Sequence, residues 1–493
     1  MSAWGEHVTA ALLGTRRRPV PPLEEIPDGP ADPAARLLDQ AALLTVRRRA
    51  GWRPVGAEPT APAPAETAPL VPDAAAERLR RILAGEHARV LPEWLEAAAR
   101  SGRRVPPHLL PDLLHKGRAD RALRPSIARA AGRRGVWLAM QHVDWAYLVV
   151  TGGGAEVEDP GVWSTGTRAE REAHLRWSRA ADPAAARATL SSTWPREPAP
   201  ERARFLTAFE RGLSLADEEF LETALDDRGL EVRRIAADLL ARLPGTAYAR
   251  RMTERARACL RAETGPAGGP ERLVAAPPER HDEGMLRDGI PYHAAERVGN
   301  HAGWLREILA RTPLSTWTER FGLPPEHVVA LPVGTGARLA PDEHARRDVH
   351  LGWARAAARQ RDAAWARALL AGDVVPGDVR TLADLLDVLP GAEREDQAAE
   401  AVRRIEDPTG RLTVLDRVPG PWSGALADVT ITTLADTAAG RFPADLCRLA
   451  GERLAPATAS RLDELARRHP GHRPLTELAD VLRFRHDMLE ELR

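Results

Sequence analysis

The chain of 493 residues is too long for one compact core, so its length predicts several packed units or one extended array. Hydrophobic residues make up 43% and include 13 Trp, which excludes a globally disordered chain. Basic and acidic residues balance at 70 each, which excludes bulk attraction to nucleic acid or an anionic membrane and leaves only local patches.

The first stretch, MSAWGEHVTAALLGTRRRPV, has no basic leader, and its apolar run Val8 to Leu13 is shorter than a signal-peptide core. No later run reaches the length of a membrane span, so a soluble, cytoplasmic protein is expected. Residues 1–52 read as an N-terminal helical segment. Residues 53–73 are Pro/Ala-rich without periodicity and read as an extended, flexible linker.

Residues 74–262 read as a helical repeat arm. LPEWLEAAARSG and VPPHLLPDLLHKG, followed by ADRALRPSIARAAG, suggest one helical pair within 91–131. RGVWLAMQHVDWAYLV (134–149) is the densest aromatic cluster. Trp137, Leu138, Gln141, Trp145 and Leu148 approximate one helical face there, unless Asp144-Trp145 begins a new element, and the aromatics suit either packing between helices or an interface. LADEEFLETALDDRGLEVRRIAADLLARLPG (215–245) reads as two helices joined at Asp226-Asp227-Arg228-Gly229. Leu215, Phe220, Leu221 and Leu225 form the first apolar face, and Val232, Ile235, Ala236, Leu239 and Leu243 the second.

Residues 263–300 read as a loop-rich connector. It holds the main predicted boundary at 263–284, before a C-terminal helical arm over 301–493. That arm contains a second candidate pair across 361–389, ending in ADLLDVLPG (383–391). Seven of its nine letters match ADLLARLPG at 237–245, so either an internal repeat or two similar helix endings would explain it. HVVALPVGT (327–335) and LTVLDRV (412–418) are short and β-branched but interrupted or ended by Pro, which suits loops or a small hairpin.

No motif specific for a catalytic chemistry occurs. TGGGAEVEDPG (151–161) lacks the Gly-Lys-Ser/Thr ending of a phosphate loop and is followed by acids, and PVGTGAR (332–338) reads as an ordinary loop. His281, His293 and His301 with Asp282 and Glu283 are the best candidate metal ligands, although surface histidines explain the spacing better. The two histidines of HPGH (469–472) are split by Pro and Gly. Only Cys259 and Cys447 occur, without a disulfide framework or an activating neighbour. Lys116 is the only lysine; with heavy Ala, Gly and Pro usage, this reads as the codon bias of a high-GC bacterial genome.

RLLDQAALLTVRRRAG (36–51), LPEWLEAAARSGRRVPPHLLPDLLHKG (91–117), GRRGVWLAMQHVDWAYL (132–148) and LEVRRIAADLLARLPG (230–245) together resemble an uncharacterised, mainly actinobacterial family of HEAT-like helical proteins. Its members are encoded beside MoxR-type AAA+ ATPases, von Willebrand A-domain proteins and SWIM zinc-finger proteins. The resemblance implies a place in an ATPase-linked system and brings no catalytic residues.

The expected fold is all-α: an α-solenoid of stacked helical hairpins in two arms around a loop-rich middle. The leading function is a non-enzymatic scaffold or adaptor for protein partners, with no cofactor. The candidate protein-binding surface is Arg133, Arg134, Trp137 and Trp145, because Trp and Arg dominate interface energetics. Two alternatives stand beside it: nucleic-acid binding along an arginine-lined face, and an enzyme whose site assembles from distant residues.

Overall fold

The computed structural model describes residues 3–23, 26, 32–51, 60–148, 161–266, 268–293, 299–336, 341–372, 379–437 and 444–493. The chain divides into two units, Met1–Pro64 and Ala65–Arg493. It is mostly helical, and none of the described helices is long and apolar enough to cross a membrane. Of the glycine-rich stretch 151–161, only Gly161 is among the described residues.

In the first unit α1 (Ala3–Leu13) packs on α2 (Pro33–Ala50). A buried hydrogen bond joins His7 Nε2 to Gln40 Oε1 at 2.7 Å.

The second unit opens with α3 (Asp73–Leu83), α4 (Leu91–Arg100), α5 (Leu110–Ala119) and α6 (Arg124–Gln141). The end of the Pro-rich stretch is pinned to this group. Arg104 N–H donates to Pro69 O at 2.9 Å, and Val71 N–H to Arg104 O at 3.0 Å. Trp94 is fully buried and donates to Ala75 O, locking α4 to α3.

A short helix, α7 (Val162–Thr165), precedes α8 (Arg168–Ala181), α9 (Pro183–Thr193) and α10 (Ala199–Thr207). Then come α11 (Glu218–Leu225), α12 (Leu230–Leu240) and α13 (Ala247–Cys259). The predicted hairpin at 215–245 is therefore present, with its turn at 226–229. Gly229 keeps φ −79°, so a left-handed glycine does not make the turn. The Asp227 carboxylate makes it, accepting from Gly229 N–H at 2.8 Å while pairing with Arg202 at 2.7 Å. Arg179 and Asp217 form a wholly buried ion pair here, and every bond is supplied. Arg179 also donates to the carbonyls of Pro183, Arg211 and Gly212 at 2.9–3.0 Å, and its guanidinium lies 4.2 Å from the Phe209 ring centre. Burial opposes ionisation of Asp217, but hydrogen bonds from Arg179, Arg187 and the Ser214 amide outweigh it and hold the carboxyl below its ordinary range.

Among the described residues of 263–300, short strands and one short helix stand between loops. β1 (Leu260–Thr264) and β2 (Pro270–Ala275) form an antiparallel pair with Leu260 opposite Ala275, and α14 (Glu283–Arg287) follows. Asp288, almost fully buried, pairs with Arg251 at 2.8 Å and Arg255 at 2.5 Å, tying the connector to α13. One hydrophobic core continues across 263–284, joining Leu175–Leu260 to Trp304–Leu482, so the buried side chains show no break there.

After α15 (Asn300–Arg311) and α16 (Ser315–Phe321), the stretch 327–335 splits into α17 (Pro325–Ala330) and β3 (Val333–Thr335). β3 adds parallel to β2, with Leu273 opposite Val333. Next come α18 (Glu343–Gln360), α19 (Ala363–Ala371), α20 (Val379–Leu386), α21 (Gly391–Arg404) and α22 (Pro408–Arg417). LTVLDRV is thus mostly helix rather than loop or strand. Asp407 caps the Gly410 amide at 2.8 Å and Pro408 takes the first helical position, which outweighs weak β propensity. The chain ends with α23 (Gly424–Thr437), α24 (Ala444–Arg453), α25 (Ala459–Arg468) and α26 (Arg473–Glu491). From α18 on, every second helix packs on the next but one: α18 on α20, α20 on α22, α22 on α24, α24 on α26. Gly352 allows the close crossing of α15 and α18, because a Cβ there would stand 2.6 Å from Leu309 Cβ.

The buried side chains of the second unit form two cores. Residues 71–148 share their own core with Phe484, Met488 and Leu492 of the last helix region, while the core beginning at Leu175 is separate from it.

The matched segments 237–245 and 383–391 each carry the end of a helix, α12 and α20, that follows and packs on its predecessor. They part company at the glycine. Gly245 is left-handed at φ +83° in a turn, whereas Gly391 begins the next helix. Leu239 and Leu385 are 3% and 0% exposed, mid-stripe as the spacing predicts. Leu239→Ala or Leu385→Ala should each cost about 2–5 kcal/mol in chemical denaturation. Arg234→Ala, removing an exposed pair with Glu231, should stay within about 0.5 kcal/mol. Equal losses from all three would show the face assignment to be wrong.

Within α18, His350 is fully buried and stacks on Trp353, which meets Trp317 and Trp365. Burial, helped by repulsion from Arg346, pushes its pKa from the ordinary 6.5 down to about 4. The unfolded chain therefore takes up this proton first, and stability should fall as pH drops from about 6.5 to about 4. Denaturant titrations across that window should give a flatter profile for His350→Leu than for the native chain; parallel profiles would contradict the assignment.

Candidate functional site

The four sequence-selected residues lie within one helix and its exit. Gly132 interrupts α6 at φ +66°, a conformation that favours glycine, so the helix starts afresh at Arg133. Its first amides, on Arg133 and Arg134, donate to the Glu66 carboxylate at 3.1 and 2.8 Å. An anion thus caps the helix N-terminus from the Pro-rich stretch. Glu66 was not found from sequence because it stands 67 residues from the amide it caps. The Arg133 side chain donates to Ala65 O at 3.0 Å, and both arginines are exposed. Trp137 is half-buried. Trp145 is buried, stacked on His142 with ring centres 4.3 Å apart and edge-on to His115. Beside them Met140 and Val143 stand 64% and 87% exposed, large apolar side chains that the core does not use.

The other sequence candidates have structural duties. Asp282 caps Met285 N–H, His281 Nε2 meets Ile290 O at 3.0 Å, and His301 Nδ1 meets Pro278 O at 2.7 Å. His281 and His301 also pack against Trp304. No set of three or more metal-ligating side chains occurs among the described residues. Burial pushes the Cys259 thiol up to about 11 and that of Cys447 up to about 12, so both stay protonated at neutral pH.

The structure assembles a second feature from residues far apart in sequence. A cleft of about 520 Å³ is lined by Thr207 and Glu210, by Arg234 and Asp238 of α12 with Arg242 just beyond it, by Arg355 and Arg359 of α18 with Arg361 beyond it, and by Asp384 of α20. Asp238 and Asp384 hold the same place in the two matched nine-residue segments. Asp238 is shared, 3.1 Å from both Arg311 and Arg359. Glu307 pairs with Arg311 and, at 3.2 Å, with Arg355. Burial alone would raise the Glu307 pKa, but Arg311, Arg359 and Arg355 hold it below its ordinary range. Burial pushes Arg359 the other way, below the usual guanidinium value, with Asp238 opposing and Arg311 reinforcing. Only the local sequence of α12 hinted at this site, through the Asp-bearing helix end; its opposite walls lie more than a hundred residues away.

A further cavity of about 610 Å³ opens where Gly85–Glu93 meet α24 and α26, with Cys447 and Leu478 in its lining.

No curated protein and no solved structure matches the chain. Residues 6–492 match the model described as "Family of unknown function (DUF5691)", and the chain belongs to that family.

Proposed function

We propose that this chain is a non-enzymatic scaffold: an α-solenoid of HEAT-like helical hairpins that holds protein partners. The observation that carries the reading is the next-but-one packing from α18 to α26, in which alternate helices pack on one another in chain order. The partner surface in this reading is the exposed side of 133–148. Arg133, Arg134 and the edge of Trp137 supply directed and aromatic contacts there, and Met140 and Val143 supply apolar area. The resemblance noted from sequence points to a MoxR-type ATPase or a von Willebrand A-domain protein as the partner. The bulk of the arginines favour this over nucleic-acid binding, because pairs such as Arg168–Glu201, Arg367–Glu393 and Arg483–Asp463 spend their charge on carboxylates.

Affinity purification of the full chain from its native cells should recover a defined protein partner. The double change Arg133→Glu and Arg134→Glu, in a protein shown by its melting curve to be folded, should reduce that recovery at least about tenfold, the size of effect expected from losing interface arginines. Unchanged recovery would remove this region from the binding surface.

A further inference from the structure

The cavity between the α3–α4 connection, α24 and α26 combines size, apolar walls and one strained polar residue. Its volume of about 610 Å³ falls in the range of small-molecule pockets. It opens where the two cores meet, since Val90 belongs to the core of 71–148 and Cys447 and Leu478 to the large core. Pro92 extends the first wall, Ala444 the second and Val481 the third. Every Arg and Glu side chain in the lining has an ionic partner. Arg485 holds Glu93 at 2.6 Å, Arg89 and Arg448 meet Glu452 at 2.9 and 3.4 Å, and Arg473 holds Glu477 at 2.7 Å. A charged ligand would compete with these pairs, whereas an uncharged one leaves them intact. His87 differs from the other polar groups. It is held at φ +45°, a left-handed conformation that costs a non-glycine residue energy, and its ring nitrogens make no hydrogen bond among the described residues. Its ring tilts against Phe484 with centres 4.9 Å apart, which fixes the imidazole in the cavity wall.

We propose that this cavity binds a neutral, mainly apolar small molecule, and that His87 makes its one directed hydrogen bond. Burial of the ligand's apolar body against Val90, Leu478 and Val481 supplies most of the affinity, and the imidazole sets its orientation. A ligand seated there touches both cores at once, so its binding stabilises the junction that Arg485 and Glu93 close. The inference is independent of the scaffold reading, since it uses no residue of 133–148.

The test is fluorescence titration of the full chain with N-phenylnaphthylamine, a neutral probe with a single N–H group that brightens in apolar surroundings. Saturable one-to-one binding is expected, with slower amide exchange across 85–93 and α24 in the bound state. Anilinonaphthalene sulfonate, which adds a negative charge to the same apolar body, should bind at least about tenfold more weakly. Ala444→Trp, which fills the space from an exposed position at the start of α24, should also weaken the neutral probe at least about tenfold. His87→Gly suits the left-handed backbone and so leaves the fold intact; it should weaken the probe about fivefold, the worth of one hydrogen bond. Met140→Ser with Val143→Ser, which removes exposed apolar side chains outside the cavity, should bind as the native chain does. Absence of saturable binding by the native chain, native affinity in either cavity variant, equal affinity for the sulfonate, or a loss in the Met140 and Val143 variant would overturn the proposal.

Discussion

The guanidinium of Arg485 holds together parts of the second unit that lie far apart in sequence. It donates to both oxygens of Glu93 on α4 at 2.6 and 2.9 Å, and to the carbonyls of Gly451 and Leu454 at 2.9 and 2.8 Å. Its helix, α26, serves two cores. Leu475, Leu478, Ala479 and Leu482 recur at i, i+3, i+4 and i+7 and face the large core. Phe484, Met488 and Leu492 recur every four residues and face the core of 71–148. Arg78 closes the same junction, paired with Glu491 and lying over the Phe484 ring at 4.5 Å. The group that comes first in this unit is thereby anchored to the helix that comes last.

Buried arginine recurs as the joining device. Arg179, Arg311 and Arg485 each tie several acceptors from different elements, a task that five donors in a fixed fork perform and a lysine ammonium does not. Read from composition, the arginine excess reflects codon bias. The folded chain uses it structurally all the same, because the heads fill positions where turns and helix ends leave carbonyls unpaired.

Local features were legible in the sequence. The hairpin at 215–245 has its turn at the Asp-rich step, and the Leu239 and Leu385 stripes are buried. The helical content follows from 3.6-residue periodicity, which needs no partner to be read. Short apolar runs were not legible. LTVLDRV is β-branched, yet its residues follow an Asp-Pro helix start, and that local signal prevails. The connector at 263–300 reads as loop-rich because Pro and Gly carry its composition, and the pairing of distant Arg251 and Arg255 with its Asp288 has no signature there. Neither Glu66 at the α6 amides nor the meeting of α12, α18 and α20 has a signature at short spacing. The four surface residues proved unequal, since Trp145 is committed to packing and the arginines are not.

The central claim is that α26 couples the 71–148 core to the rest of its unit. Amide hydrogen exchange on the native chain and on a Phe484→Ala, Met488→Ala variant measures this directly, because loss of buried contacts raises local opening in the elements that share them. The account predicts faster exchange throughout α3, α4 and α6, with α15 and α18 protected as in the native chain. Native protection in α3 to α6, or loss of protection spread evenly over the whole unit, would contradict it.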